Sequence, residues 1–168
     1  MQEDQTVGEK HVRRAYDDLE RDEILDYFTE KLSHQQGLSY LATTLIVVEP
    51  YKDAKTKTIY TMYKRIANTI GSKVVSERKF YEFLDQLSML GLVRSNERNQ
   101  GRKGGRTYHY EVTDDPADII NAVRDFDRLC DGLPSNVDDA LRMYKKDNAT
   151  MYRPPSEDEA SQQSLYQF

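Results

Sequence analysis

Between positions 98 and 106 the chain sets four cations, Arg98, Arg102, Lys103 and Arg106, among three glycines, Gly101, Gly104 and Gly105. Guanidinium and ammonium groups on a thin glycine-rich segment are suited to neutralising phosphate oxygens. Arginine in particular fits the minor groove of a duplex, where the potential is most negative. A second group of donors, Arg78, Lys79, Tyr81 and Gln86, is spaced as the outward side of a helix from Ser76 to Leu90. Arg78 and Lys79 in its first turn would reach base edges or phosphates, and a helix N-terminus itself attracts phosphate oxygens. Glu82 and Asp85 on the same helix would repel phosphate; they either accept from cytosine amino groups or point away from the nucleic acid. Lys64, Arg65 and Lys73 are weaker candidates, for which phosphate contact and plain solvation are equally compatible with their types.

Other chemistry finds little support. A glycine-rich stretch with a lysine raises a nucleotide-binding loop, but no G-x-x-x-x-G-K-[ST] occurs, and this segment joins two strand-like runs rather than a strand and a helix. No nucleophile lies near a base in the sequence, and the many carboxylates fall on acidic helix faces, where solvation accounts for them. The single cysteine, Cys130, excludes an intrachain disulfide and a cysteine-based zinc site, and the three histidines are far apart. A non-catalytic protein without cofactor or metal is the expectation.

The net charge of −5 argues against a nucleic-acid partner, but its distribution argues for one. Residues 52–109 hold 13 Lys/Arg against 5 Asp/Glu, and the remainder hold 11 against 24. A basic centre between acidic arms is the pattern of a DNA-facing surface on an otherwise acidic protein. With no apolar run of membrane-spanning length and an acidic N-terminus, a cytoplasmic, nucleoid-associated location is expected.

The elements that would position these groups follow from periodicity and punctuation. Thr6 and Glu9 have capping-box spacing ahead of a long helix with apolar Val12, Ala15, Leu19, Leu25, Phe28 and Leu32. Glu20–Glu23 would mark a bend or change of face, and Gln36-Gly37 a break. A short apolar helix then runs from Leu38 to Glu49, ended by Pro50. Thr56 or Thr58 caps a helix whose stripe is Ile59, Met62, Tyr63, Ile66, Ala67 and Ile70, with Gly71 as its stop. Ser76 caps the next, with Phe80, Phe83, Leu84, Leu87 and Leu90 inward and Gly91 as its stop. Strand-like runs at 92–95 and 107–112 flank the cationic tip. Asp114 or Asp115 then caps a helix with Pro116 in its first turn and an apolar face reaching Leu129. A shorter helix spans about 136–144.

This order predicts a mainly α protein: a winged helix-turn-helix, with a three-helix core plus a β-hairpin wing and helical N- and C-terminal extensions. The expected organisation is a helical extension over 1–35, the winged-helix domain over 36–113, a helical appendage over 114–147 and a disordered tail over 148–168. The tail holds the acidic, proline-containing stretch Arg153–Glu159, which cannot bury a core.

The ordered features resemble the C-terminal region of archaeal replication initiators related to the origin recognition complex and its cell-division-control partner. The resemblance runs from Val7-Gly8-Glu9-Lys10-His11-Val12-Arg13-Arg14-Ala15, similar to the end of that family's ATPase lid. It continues through Thr58–Tyr63, Ser76–Phe80 and Leu87–Val93 to the wing Gly101–Thr107. It implies origin binding, with a recognition helix in the major groove and the wing in the minor groove, and carries those roles to Arg78, Lys79, Arg102, Lys103 and Arg106. The family's Walker motifs and sensors have no counterpart in this sequence, so ATP binding in the family's way is not expected. A winged-helix transcriptional regulator uses the same surface, with the helix at 115–130 as a dimer face. A monomer or weak dimer is expected.

The last residues carry a different signal. Gln162, Leu165 and Phe168 match Q-x-x-[LIM]-x-x-[FY], the spacing of a sliding-clamp-binding peptide. One helical turn would put Leu165 and Phe168 on one face as a plug, with Gln162 hydrogen-bonding nearby. An adaptor that recruits a clamp is therefore a further reading.

Overall fold

The computed structural model describes residues 2–99, 101 and 105–151. In chain order these form α1 (Gln2–Asp26), a π-helical turn (Tyr27–Lys31), α2 (His34–Val48), α3 (Thr56–Thr69), α4 (Glu77–Met89), β1 (Val93–Asn99), β2 (Arg106–Val112), α5 (Pro116–Arg124), a 3-10 turn (Cys130–Gly132) and α6 (Val137–Met151). The two strands pair antiparallel, from Val93 opposite Val112 to Asn99 opposite Arg106. Helices α2, α3 and α4 with this hairpin are the winged helix that the periodicity predicts.

The N-terminal region differs from expectation in three ways. α1 begins at Gln2, so Thr6 lies inside the helix rather than at its N-cap position. The charged run Glu20–Glu23 lies within the continuous helix α1. The break falls at Leu32-Ser33 rather than Gln36-Gly37, because the chain first widens: the Leu32 N–H donates to the Tyr27 carbonyl at 2.8 Å, five residues back. Ser33 then caps α2. Its Oγ accepts from the Gln36 N–H at 3.2 Å, and Gln36 Oε1 accepts from the Ser33 N–H at 3.0 Å. The expected boundary after residue 35 thus falls in the first turn of α2. Gly37 lies within that helix, where an added Cβ would meet Phe28 and Leu129 at 3.4 and 3.5 Å.

Apolar side chains of all six helices form one core. α2 is its axis, with Leu38, Tyr40, Leu41, Ala42 and Ile46 buried. Its buried hydroxyls stay satisfied by bonding back along the helix: Ser39, Thr43 and Thr44 donate to the carbonyls of Gln35, Ser39 and Tyr40 at 2.8–2.9 Å. α3 adds Ile59, Met62, Tyr63, Ile66 and Ala67, and α4 adds Phe80, Phe83, Leu84 and Leu87. Gly71 and Gly91 end these helices at φ of +70° and +78°, angles that a side chain disfavours. Lys55, not Thr56 or Thr58, occupies the N-cap of α3 and supplies no side-chain cap. Leu90 is 50% exposed instead of inward, because the helix has already ended there.

Asp115 caps α5, its Oδ1 accepting from the Ala117 N–H at 3.0 Å, with Pro116 first in the helix. Ile119, Ile120, Ala122 and Val123 are buried, and α5 packs on α1 and α2. That face is therefore not free to serve as a dimer interface. α5 stops at Arg124, short of Leu129. Asp125 and Asp127 oppose continuation because carboxylates disfavour a helix C-terminus. Leu129 is buried from the loop beyond. The last helix runs from Val137 to Met151, past the expected limits at 144 and 147. Gly104, Arg102, Lys103 and the tail residues Gln162, Leu165 and Phe168 lie outside the described residues.

Candidate nucleic-acid interface

The helix-turn-helix is held by side chains that are not themselves part of its turn. The α3–α4 turn carries backbone donors and acceptors that need partners, and α2 and α3 provide them. Tyr60 donates from its hydroxyl to the Val75 carbonyl at 2.8 Å. The Tyr63 hydroxyl accepts from the Val75 N–H at 3.1 Å and donates to Gln35 Oε1 at 2.5 Å. Gln35 Nε2 donates in turn to the Lys73 carbonyl at 3.0 Å, and His34 Nε2 lies 2.9 Å from Ser72 Oγ. Burial pushes the Tyr63 phenol up from its ordinary range, and burial followed by the field of Arg128 lowers His34. The rings of Tyr60 and Tyr63 pack on Phe80 at centroid distances of 5.3 and 5.0 Å, which couples the turn to α4. Gln35, Gln36 and the two tyrosine hydroxyls escape a reading of the sequence. Their partners lie far along the chain, and the only local signal is Ser33 three residues before Gln36.

α4 has the geometry of a recognition helix. Ser76 Oγ accepts from the Lys79 N–H at 3.2 Å. With Phe80, Phe83, Leu84 and Leu87 inward, the opposite side carries Arg78, Glu82, Asp85 and Met89, all exposed. Arg78 has no ion-pair partner among the described residues. Lys79 is committed: its Nζ lies 3.0 Å from Glu82 Oε2 and 5.7 Å from the Phe83 ring centre. Tyr81 donates from its hydroxyl to Glu77 Oε1 at 2.5 Å. Burial and that bond push its pKa up to about 12. Gln86 accepts at Oε1 from Gln36 Nε2 at 2.7 Å, which ties α4 to the first turn of α2. Of the four expected donors on α4, Arg78 is thus the one that stands outward without a protein partner among the described residues. Lys64, on α3, stacks over the Tyr60 ring at 4.9 Å.

The wing is longer than the sequence indicates. Pairing reaches Asn99 and Arg106, so the connecting segment is 100–105, with Gly101 and Gly105 at φ of +82° and +65°. The register puts Arg94, Asn96 and Arg98 on one face and Tyr108 and Tyr110 on the other. Arg98 is exposed, and its carbonyl accepts from Thr107 Oγ1 at 3.3 Å. At the root, the Tyr110 N–H donates to the Ala54 carbonyl at 3.0 Å and Lys55 forms an isolated bridge to His109, so the loop before α3 runs beside β2. Arg106 is placed by its backbone at the start of β2. Among the described residues no cluster of His, Cys, Asp or Glu could hold a metal ion, and no helix is long and apolar enough to cross a membrane.

A tyrosine-braced helix-turn-helix followed by a hairpin of this register defines a winged-helix protein. Residues 28–122 match the family model described as "CDC6, C terminal winged helix domain", more than half the chain, and the chain belongs to that family. It is 57% identical over 162 residues to "ORC1-type DNA replication protein 8" of Haloarcula marismortui, covering 96% of this chain and 36% of that protein. It is 34% identical over 125 residues to a protein of the same name in Halobacterium salinarum, covering 74% of this chain and 31% of that one. The chain therefore spans about a third of the length of these curated relatives. Among solved structures it is similar to the Aeropyrum pernix ORC1 protein in complex with DNA, at a TM-score of 0.54 and 28% identity, over 70% of this chain and 30% of that one.

Proposed function

We propose that this chain binds duplex DNA as the origin-contacting part of a replication initiator and carries out no catalysis itself. The observation that carries the reading is its likeness to an ORC1 protein whose structure holds DNA, at 28% identity over 70% of this chain. In this reading α4 enters the major groove with Arg78 foremost, while Lys79, Tyr81 and Gln86 contribute after leaving their protein partners. Arg98, Arg102, Lys103 and Arg106 carry the wing into the minor groove. The buried face of α5 weighs against a dimeric transcriptional regulator.

The test is anisotropy of a labelled random-sequence duplex across a salt series, with Arg102→Ala, Lys103→Ala and Arg106→Ala combined. Binding that weakens with salt, and a salt slope shallower by roughly 0.9 for each phosphate that the variant no longer neutralises, supports the wing as a DNA element. Absence of binding at low salt overturns the DNA reading.

A second partner rests on the sequence of the tail alone. Gln162, Leu165 and Phe168 form a clamp-binding peptide in this proposal, and titration of a sliding clamp with the 156–168 peptide tests it: lack of saturable binding removes it.

A further inference from the structure

A second basic surface lies on the other side of α3. There a groove of about 300 Å³ opens between α2 and α3, with Ile46 and Met62 as its apolar lining and Lys52, Lys57, Thr58, Thr61 and Arg65 as its polar one. Lys52 is paired with Glu49 at 3.0 Å, but Lys57 and Arg65 are exposed and have no ion-pair partner among the described residues. Lys57, Thr61 and Arg65 recur every fourth residue and so form one stripe along the helix. The first turn of α3 adds to the positive field, since it holds no acidic residue and no side-chain cap. Tyr51, immediately before Lys52, is fully exposed.

This stripe is not the edge of the α4 surface. Tyr60 and Tyr63 are the residues by which α3 meets α4, through Phe80. Arg65 follows Tyr63 by two positions, about 200° around a helix. The stripe therefore runs from Lys57, about 60° from Tyr60, round to Arg65, and its Arg65 end lies on a different side of α3 from the recognition helix.

We propose that this groove is a second phosphate-binding face, which seats the backbone of a second duplex segment while α4 and the wing hold the first. Lys57 and Arg65 contact the phosphates, and the hydroxyls of Thr58 and Thr61 border them. The charge selects the partner: two cations without an ion-pair partner among the described residues, within the basic stretch 52–109, attract a polyanion, and repeated phosphates meet a stripe with the pitch of a helical turn. The proposal rests on the DNA reading above and gives it a consequence, that one chain brings two stretches of duplex together.

The experiment measures stoichiometry with the full chain, titrated with labelled duplexes of about one helical turn. Wild type binds two duplexes per chain at low salt. Lys57→Gln combined with Arg65→Gln binds one, with the affinity of the remaining event and the thermal unfolding midpoint unchanged. Arg78→Gln weakens the other event and leaves the groove event intact. A single duplex per wild-type chain, or a second event that the double variant leaves untouched, overturns the groove assignment while the DNA reading stands. No binding of any duplex overturns both.

Discussion

The Tyr63 hydroxyl accepts the Val75 amide at 3.1 Å, so a side chain from the middle of α3 closes the turn that leads into α4. The same oxygen donates to Gln35 at 2.5 Å. Tyr63→Phe keeps the buried ring but leaves the Val75 N–H unpaired. It is expected to cost about 1–3 kcal/mol of stability and to weaken duplex binding, because α4 loses its fixed entry angle. Urea unfolding and duplex titration of the same preparation check this; unchanged stability would remove the bracing role.

On α4 two neighbouring cations should behave differently. Arg78→Ala is expected to weaken duplex binding by about 1–3 kcal/mol with no change in unfolding midpoint, since the side chain is exposed and has no ion-pair partner among the described residues. Lys79 is held by Glu82. Glu82→Gln therefore releases a cation and removes a like charge from the DNA side, so affinity should rise at low salt. Equal losses for Arg78→Ala and Lys79→Ala would contradict the division of roles.

Packing at Gly132 is tight enough to predict a penalty. A Cβ there would lie 2.5 Å from Ile66 Cγ2, on a buried, branched side chain that has no room to swing aside. Gly132→Ala should destabilise by about 1–3 kcal/mol, read as a lower denaturant midpoint with an unchanged slope.

Asp118 gives a pH dependence of defined sign. Burial first, then Asp115, Glu20, Asp17 and Asp114, push its pKa from 3.8 up to about 6. The folded state thus binds this proton more tightly than the unfolded chain does. Above about pH 6 the carboxylate is charged in both states and the fold bears the cost; as pH falls from 6 towards 3.8 that cost is relieved. Asp118→Asn should be more stable than wild type at neutral pH, and the difference should close across that window. A difference that stays constant from neutral pH to below the lower of those two values would contradict the assignment.

Much of the fold is legible in the sequence because its signals are local. The stripes of α3 and α4, the stops at Gly71 and Gly91, and the Ser76 and Asp115 caps each depend on residues within a turn of one another. What escapes depends on distance or on backbone phase. Gln36 reads as a helix breaker beside Gly37, yet it is a cap and a strut whose partner, Gln86, lies fifty residues on. Leu129 keeps the period of α5 after the chain has left the helix. In the candidate site the positions of the cations are legible, but not which of them are already paired. The Lys79–Glu82 spacing is a readable i,i+3 signal for one commitment; the Gln36–Gln86 contact has none.

The π-helical turn at Tyr27–Lys31 makes the join between α1 and the winged core sensitive to chain length. Removing one residue there would restore α-helical phase and rotate α1 by about 100° relative to α2, carrying Ile24 and its neighbours away from α5. Substitutions in this turn alter packing by degrees, whereas a single insertion or deletion changes which face of α1 meets the rest. The turn acts as a reading-frame lock: its letters can vary, but not their count.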